Sequence, residues 1–209
     1  MSWRRPDPLT GIGPLRQLQI AIGSTPTYNF LRQPDIRPAL MSLVTMDLSL
    51  DRHGRDFLND VELFCNLKEL GLLWEFPQEH SARVHPLNFP FLPNVQKIRL
   101  VFLSLGPGLL WADVFEFIGA SITLAETTPA LEELALVLNP SPPGERPGPI
   151  PFFNDPHYAE DLPALRWIRC YHQDARSDIT LEDFTAYMGA VFPAPLKDGI
   201  LTCHSRSDL

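Results

Sequence analysis

The sequence predicts an α/β fold in which short parallel strands alternate with returning segments, over about six to seven irregular repeats. Three observations indicate this fold. An apolar phrase with a period of two recurs along the chain, its copies start 24 to 36 residues apart, and several intervening segments have the apolar spacing of a helix. Long uninterrupted helices are not expected, because 22 prolines punctuate the chain.

The recurring phrase has the form Leu-x-x-Leu-x-Leu, in which other apolar residues replace leucine in some copies. The first leucine of each copy is position 0. Copies start at residues 15, 43, 67, 95, 131 and 165, and a degenerate seventh copy is placed at Leu196. Positions +3, +5 and +7 alternate with mixed positions, which predicts a strand with one apolar face. The residues at +3 and +5 are Leu18 and Ile20, Met46 and Leu48, Leu70 and Leu72, Ile98 and Leu100, Leu134 and Leu136, and Ile168 and Cys170.

Three of the segments between copies are predicted to be helices. Apolar residues recur at helical spacing over residues 55–66 and 109–125. The segment 180–192 is the best marked, since Thr180 and Asp183 have the spacing of a capping box and Pro193 ends the pattern. Proline at position −2 of three copies is interpreted as ending the preceding segment.

Two other segments lack a helical period. Residues 75–92 contain three prolines, and residues 139–161 form a proline-rich loop within the single domain 1–209. We interpret the second segment as a surface loop. The alternative is a polyproline II ligand for an aromatic-lined groove on another protein.

These elements predict a leucine-rich-repeat solenoid. One strand with its return is too small to bury its own apolar face, so neighbouring units stack and share a continuous core. The strands form a curved parallel sheet on the concave side. Helices and irregular loops are bulkier than strands and occupy the convex side.

The residues at +2, +4 and +6 are then expected to project from the concave face. Trp, Arg and Tyr are enriched in protein-binding hot spots, and one strand carries all three. The alternative is that the C-terminal helix or the 139–161 loop covers that row. The candidate partner-binding residues are Lys97, Arg99, Glu133, Trp167, Arg169 and Tyr171.

Composition and charge narrow the class of partner. A net charge of −8 on 209 residues disfavours a nucleic-acid partner, because an acidic chain repels phosphate backbones. Three widely spaced cysteines argue against a disulfide framework. The first residues lack the apolar core of a signal peptide, and no apolar run has the length of a membrane span, so we expect no membrane partner and a cytoplasmic or nuclear location.

Motifs of enzymes and cofactor sites are not found. The chain has no G-x-S-x-G, no P-loop and no H-E-x-x-H, so we predict no catalytic residue, no cofactor and no metal. A metal site at His80 and His85, or a zinc site at Cys170, His172 and Cys203, is the alternative. Free thiols that fill the core are the favoured interpretation of the two cysteines.

The phrases LPALRWIRC at 162–170, TPALEELALVL at 128–138 and VFPAPLKDGIL at 191–201 resemble fungal (basidiomycete) F-box-type leucine-rich-repeat proteins. In that family similar phrases finish the repeat region, and here their residues are Phe192, Pro193, Leu196, Gly199, Ile200 and Leu201. The resemblance implies an adaptor whose F-box docks to a cullin ubiquitin-ligase core while the repeats hold the substrate.

The first repeat starts at Leu15, so the resemblance is expected to cover the repeat region only, with no F-box in this chain. A cullin ubiquitin-ligase complex is then a partner if the F-box is supplied elsewhere. The asparagine that ladders through the turns of the standard repeat is found once, at Asn139, and the turns are expected to be satisfied differently in each repeat.

Three functions therefore stay open at this point. The favoured one is a protein–protein interaction module, the substrate-recognition part of an F-box-type ubiquitin-ligase adaptor. The second is a degenerate or structural repeat fragment with no catalytic role. The third is an enzyme or metalloprotein that uses the histidine-bearing loops.

Overall fold

The computed structural model describes residues 14–20, 25–49, 52–59, 64–74, 91–102, 127–138, 149–172 and 179–205. Its seven strands form one open, all-parallel sheet in which every strand lies beside its neighbours in chain order. The predicted α/β class and the parallel sheet are confirmed. The strands are β1 (Gln17–Ile20), β2 (Thr45–Ser49), β3 (Glu69–Trp74), β4 (Lys97–Phe102), β5 (Glu133–Leu138), β6 (Trp167–His172) and β7 (Leu201–Ser205).

The helices in the described segments are short. They are α1 (Thr25–Leu31), α2 (Arg37–Leu40), α3 (Arg52–Leu58), α4 (Pro151–Asn154), α5 (Tyr158–Asp161), α6 (Leu181–Val191) and α7 (Pro193–Lys197). The helix predicted over 55–66 begins three residues earlier and ends at Leu58, and residues 64–66 of that prediction lie in the turn before β3. The helix predicted over 109–125 lies outside the described residues. Within the predicted proline-rich loop 139–161, the described residues 149–161 contain α4 and α5.

Helix α6 confirms the prediction for 180–192. The Thr180 side chain accepts a hydrogen bond from the Asp183 N–H at 3.1 Å, and the Asp183 carboxylate accepts one from the Thr180 N–H at 3.4 Å. This reciprocal pair is a capping box, which satisfies two amide donors that the first turn leaves free. Phe184 and Met188 are buried on the core side of the helix.

The strand register places equivalent positions of successive copies side by side. Position +3 of each copy pairs with +3 of the next, from Leu18 through Met46 and Leu70 to Ile168, and position +5 follows the same rule. These residues lie in one continuous core, in which Met46 and Ile168 have no exposed surface. The predicted adjacency of the six copies is confirmed.

The seventh copy has a different phase from the predicted one. Ile168 pairs with Leu201, so position 0 of this copy falls on residue 198 rather than on Leu196. Leu196 lies in α7 with 48% of its surface exposed. The chain leaves α7 through Gly199, whose φ of 73° is the left-handed conformation common just after helix ends, and this turn sets the phase of β7.

A hydrogen-bonded turn precedes the strand in five copies. The N–H at position 0 donates to the carbonyl at −3 over 3.0 to 3.2 Å. Position −2 is the second residue of this turn, where proline's fixed φ is favourable, so the prolines at −2 shape the turn as well as ending the preceding segment. The donor and acceptor residues are Leu43 and Leu40, Leu67 and Phe64, Val95 and Leu92, Leu131 and Thr128, and Leu165 and Leu162.

One backbone carbonyl joins each pair of neighbouring copies from β1 to β6. The carbonyl at +1 accepts hydrogen bonds from the N–H groups at +1 and +2 of the next copy, over 2.8 to 3.1 Å. The geometry therefore repeats at five junctions although the sequence at +1 varies widely. The accepting residues are Arg16, Val44, Lys68, Gln96 and Glu132.

Two asparagines bridge neighbouring copies at position −1. Asn66 Nδ2 donates to the Met41 carbonyl at 2.8 Å, and Asn94 Nδ2 donates to the Cys65 carbonyl at 2.7 Å. Both contacts join position −1 to the −2 carbonyl of the preceding copy, in the turn before the strand. The turns directly after β1 to β6, where the standard repeat has its asparagine, lie outside the described residues. Asn139 lies outside the described residues.

Replacing Asn94 by Ala is expected to lower the free energy of unfolding by about 1 kcal/mol, because the Cys65 carbonyl loses its side-chain donor. Urea unfolding followed by circular dichroism measures the change. Asn29, an exposed residue of α1, supplies the matched control, and Asn29→Ala is expected to change stability by less than about 0.5 kcal/mol. Equal effects of the two substitutions would contradict a bridging role for Asn94.

Candidate functional site

The sheet has a second face, opposite the core, which we call the polar face. It carries the residues at +2 and +4, and the strand register aligns them in two rows. The +2 row contains Lys97, Glu133 and Trp167, and the +4 row contains Arg99 and Arg169. The structure therefore brings five of the six predicted site residues together on β4, β5 and β6, and Tyr171 lies in the adjoining +6 row.

Two cations share one carboxylate in the middle of the polar face. Lys97 Nζ lies 2.8 Å from Glu133 Oε1, and Arg169 Nη1 lies 3.6 Å from Glu133 Oε2. The Glu133 side chain is 14% exposed, so these contacts are partly shielded from solvent. Glu69 is the register partner of Lys97 on β3, so Lys97 lies between two carboxylates in the +2 row, whereas Arg169 has only the longer contact with Glu133.

A second ion pair crosses β3 from β2 to β4. Arg99 Nη2 donates to Asp47 Oδ1 at 2.7 Å, although the two residues lie on strands that are not neighbours. Gly71 occupies the intervening position on β3, and a Cβ atom there would overlap the Asp47 carboxylate and lie 3.3 Å from Arg99 Nη2. The missing side chain of Gly71 therefore lets the pair form across the strand.

Trp167 is the large apolar side chain exposed on the polar face of the described strands. It is 44% exposed, and the Arg169 guanidinium lies 5.8 Å from the centre of its ring, which is cation–π distance. Pairing between β6 and β7 begins at Ile168, so Trp167 stands just before the last strand begins. Trp167 consequently has no paired residue beside it on β7.

Tyr171 does not face solvent, which corrects the prediction for this residue. It is 6% exposed and stacks on the ring of His204, with centroids 5.3 Å apart and an interplanar angle of 29°. Val137 and Ala135 complete a small apolar cluster around it. The predicted row of three exposed residues is therefore reduced to Trp167 and Arg169.

Helix α6 does not cover Trp167 and Arg169. Its Phe184 contacts the buried ring of His172 at 5.1 Å, and His172 has the same strand phase as the core residues Ile168 and Cys170. Residues 149–161 also join the core side, where Phe153 packs on Phe192 at 5.0 Å. Residues 139–148, the other part of the predicted 139–161 loop, lie outside the described part of the chain.

Other sites suggested by the sequence are not assembled in the described segments. No three His, Cys, Asp or Glu residues there are grouped so that they would hold a metal ion, and His80 and His85 lie outside those segments. Cys170 and Cys203 are neighbours on β6 and β7. None of the described helices combines the length and the hydropathy of a membrane span.

The sequence reasoning missed both ion pairs and the role of Gly71. Lys97 and Glu133 occupy the same position of consecutive copies, so their opposite charges could have predicted this ion pair from the sequence. Asp47 and Arg99 are two copies apart. Their contact can be predicted from the sequence only when Gly71 is recognised as the residue between them.

Comparisons with protein-family models, with curated proteins and with solved structures find no match for this chain.

Replacing Gly71 by Ala is expected to separate Asp47 from Arg99, because the new Cβ occupies the space of the carboxylate oxygen. In the parent chain, a double-mutant cycle of Asp47→Ala and Arg99→Ala should give a coupling free energy of about 0.5 to 1 kcal/mol. In the Gly71→Ala background the coupling should fall to about zero. Urea unfolding of the eight variants measures it.

The same cycle for Lys97→Ala and Glu133→Ala provides the control. Its coupling free energy is expected to be unchanged by Gly71→Ala, since neither residue is among the atoms closest to that position. A persisting Asp47–Arg99 coupling in the Gly71→Ala chain would show that Gly71 does not determine the contact.

Proposed function

We propose that this chain is a leucine-rich-repeat solenoid that binds a protein partner on the polar face of its sheet and has no catalytic activity. The observation that carries the proposal is the pair Trp167 and Arg169. A half-exposed indole and a guanidinium whose side chain is 36% exposed lie within cation–π distance on one strand, on the face that α6 and residues 149–161 leave uncovered.

The repeated hydrogen bonds support the solenoid. Equivalent groups at −3, 0 and +1 make the same contacts from one copy to the next, as expected of stacked units that each contact their neighbours in sequence. The described helices of the returning segments pack on the core side, through residues such as Tyr28, Phe57 and Phe184, and helices are bulkier than the strands they face. Such an imbalance is expected to bend a stack so that its strands line the concave surface, and we therefore propose that the polar face is concave.

Trp167 has the properties of a binding anchor. Tryptophan and arginine are enriched among the residues whose truncation weakens protein complexes by about 2 kcal/mol or more. The aromatic ring is rigid and offers a large apolar area, and the neighbouring guanidinium adds directional donors. A partner that covers both gains apolar burial and hydrogen bonds at one place.

The incomplete pairing of Arg169 indicates the chemistry of the partner. Lys97 makes the shorter contact with Glu133, so Arg169 is the cation that is less fully neutralised. Its planar fork of N–H donors suits a carboxylate. We therefore propose an acidic segment as the ligand, with one carboxylate on Arg169 and an apolar side chain on Trp167.

The resemblance of 128–138, 162–170 and 191–201 to fungal F-box-type repeat proteins supports a more specific version. In that version the acidic segment belongs to a substrate of a cullin ubiquitin ligase, and the chain acts in the cytoplasm or nucleus. The polar face holds the substrate, while the docking F-box is supplied elsewhere.

The experiment compares partners captured by the parent chain with those captured by a Trp167→Ala/Arg169→Gln variant. Extracts of the source cells and quantitative mass spectrometry provide the comparison. Phe91→Ala is the matched control, because Phe91 is an exposed aromatic that precedes β4 and lies off the polar face. Melting curves and circular dichroism verify that the variants fold.

Proteins enriched by the parent and Phe91→Ala chains but lost from the double variant are the expected result. Equal capture by all three chains would place binding away from the polar face. Enrichment of nothing by the parent chain would favour a structural fragment over a binding module, and stoichiometric metal in the purified protein would favour the metalloprotein.

The affinity for a captured partner is expected to depend on Arg169 and on salt. Arg169→Gln should weaken binding about tenfold, equivalent to about 1.4 kcal/mol, because it removes a charge-assisted contact. Biolayer interferometry at low and high salt measures the dissociation constant. The parent chain should lose affinity with salt more steeply than Arg169→Gln. Identical salt dependence would rule out a carboxylate on Arg169.

A further inference from the structure

Cys170 and Cys203 are register partners on the adjacent strands β6 and β7. Neighbouring parallel strands lie about 4.8 Å apart, and a disulfide joins Cα atoms that are about 4.4 to 6.8 Å apart. Both residues have the strand phase of the core, since they follow the paired core residues Ile168 and Leu201 by two. Both are free cysteines.

We propose that Cys170 and Cys203 form a reversible dithiol–disulfide site whose reaction partner is a low-molecular-weight disulfide such as oxidised glutathione. The site is separate from the Trp167 and Arg169 pair, on the opposite face of the same sheet. The inference therefore does not depend on the proposed binding function.

The two thiols differ in environment, which assigns their roles. Cys203 is partly exposed on the last strand of the sheet, whereas Cys170 is completely buried. Hydrogen bonds from the Cys170 thiol and the Thr185 side chain lower the pKa of Cys203, although partial burial opposes them. Burial raises the pKa of Cys170. Cys203 is therefore the attacking thiolate, and Cys170 is the resolving thiol.

The reaction takes two exchange steps. The Cys203 thiolate attacks one sulfur of oxidised glutathione, which forms a mixed disulfide and releases one glutathione thiolate. Cys170 then loses its proton, attacks the Cys203 sulfur and releases the second glutathione. The two protein thiols are oxidised by two electrons, and one glutathione disulfide is reduced to two thiols.

The spacing of the strands favours a reversible bond. Side chains at paired positions of parallel strands start about 4.8 Å apart, whereas Cβ atoms in a disulfide are typically about 3.8 Å apart. The strands must move together slightly, and a disulfide under strain is more easily reduced. Because β7 pairs with β6 alone in the described sheet, it is the strand that can move.

The test uses a full chain carrying Cys65→Ser, because Cys65 is exposed and would form its own glutathione adduct. Reduced protein is incubated with mixtures of reduced and oxidised glutathione, quenched with acid, alkylated and mapped by mass spectrometry. The expected product is a peptide pair linked through Cys170 and Cys203, which disappears when excess reduced glutathione is added.

Two variants test the assigned roles. Cys170→Ser should retain a stable glutathione adduct at Cys203, since the resolving thiol is gone. Thr185→Val should slow the oxidation about threefold or more near neutral pH, because Cys203 loses a hydrogen bond that favours its thiolate. The second variant keeps both cysteines and tests the mechanism even if Cys170→Ser does not fold.

The proposal is overturned if both thiols stay unmodified at a strongly oxidising ratio in the folded chain. It is also overturned if the chain with both cysteines accumulates a glutathione adduct at Cys203 without the intramolecular link. A rate unchanged by Thr185→Val would remove the assignment of Cys203 as the attacking thiolate.

Discussion

Parallel pairing in strict register is the constraint on which the rest of this structure depends. The period of two along a strand means that a slip of one residue would move every apolar side chain from the core to the polar face. The carbonyl at +1 accepts two N–H groups of the next copy at each junction from β1 to β6, which fixes that register through the backbone. Both faces follow from it: Leu70 and Ile98 lie side by side in the core, and Lys97 and Glu133 lie side by side on the polar face.

The strands were predictable because the alternation that identifies them is local. The predictions failed where a turn sets the phase of a strand or where a residue distant in sequence buries a side chain. Alternation of Leu70 and Leu72 with mixed positions identifies β3 without knowledge of its neighbours. The phase of β7 was wrong because Leu196 supplied an apolar residue two positions early, whereas Gly199 redirects the chain after α7. Alternation assigns Tyr171 to the polar face correctly, but its burial depends on His204, which is 33 residues away in sequence.

The candidate site was predictable to a similar degree. Residue type and strand phase were enough to select Trp167 and Arg169, because hot-spot residues at alternating positions share a face. The ion pair between Asp47 and Arg99 could not be predicted in this way, because the glycine at the intervening position is significant only when the strand register is known. Asn66 and Asn94 were overlooked because the family resemblance places its asparagine after the strand, whereas these two precede it.

The polar face shows how a repeat core and a binding surface coexist on a single sheet. Its charges pair with one another across strands, so they add little to stability but determine where a complementary ligand can be accommodated. Tyr171 is buried by its neighbour on β7, whereas Trp167 stands just before that strand begins and keeps nearly half of its surface exposed. Exposed apolar area beside an incompletely neutralised arginine is costly to leave in water and favourable to cover. The point at which β7 starts is therefore what converts an ordinary strand position into the anchor of a binding site.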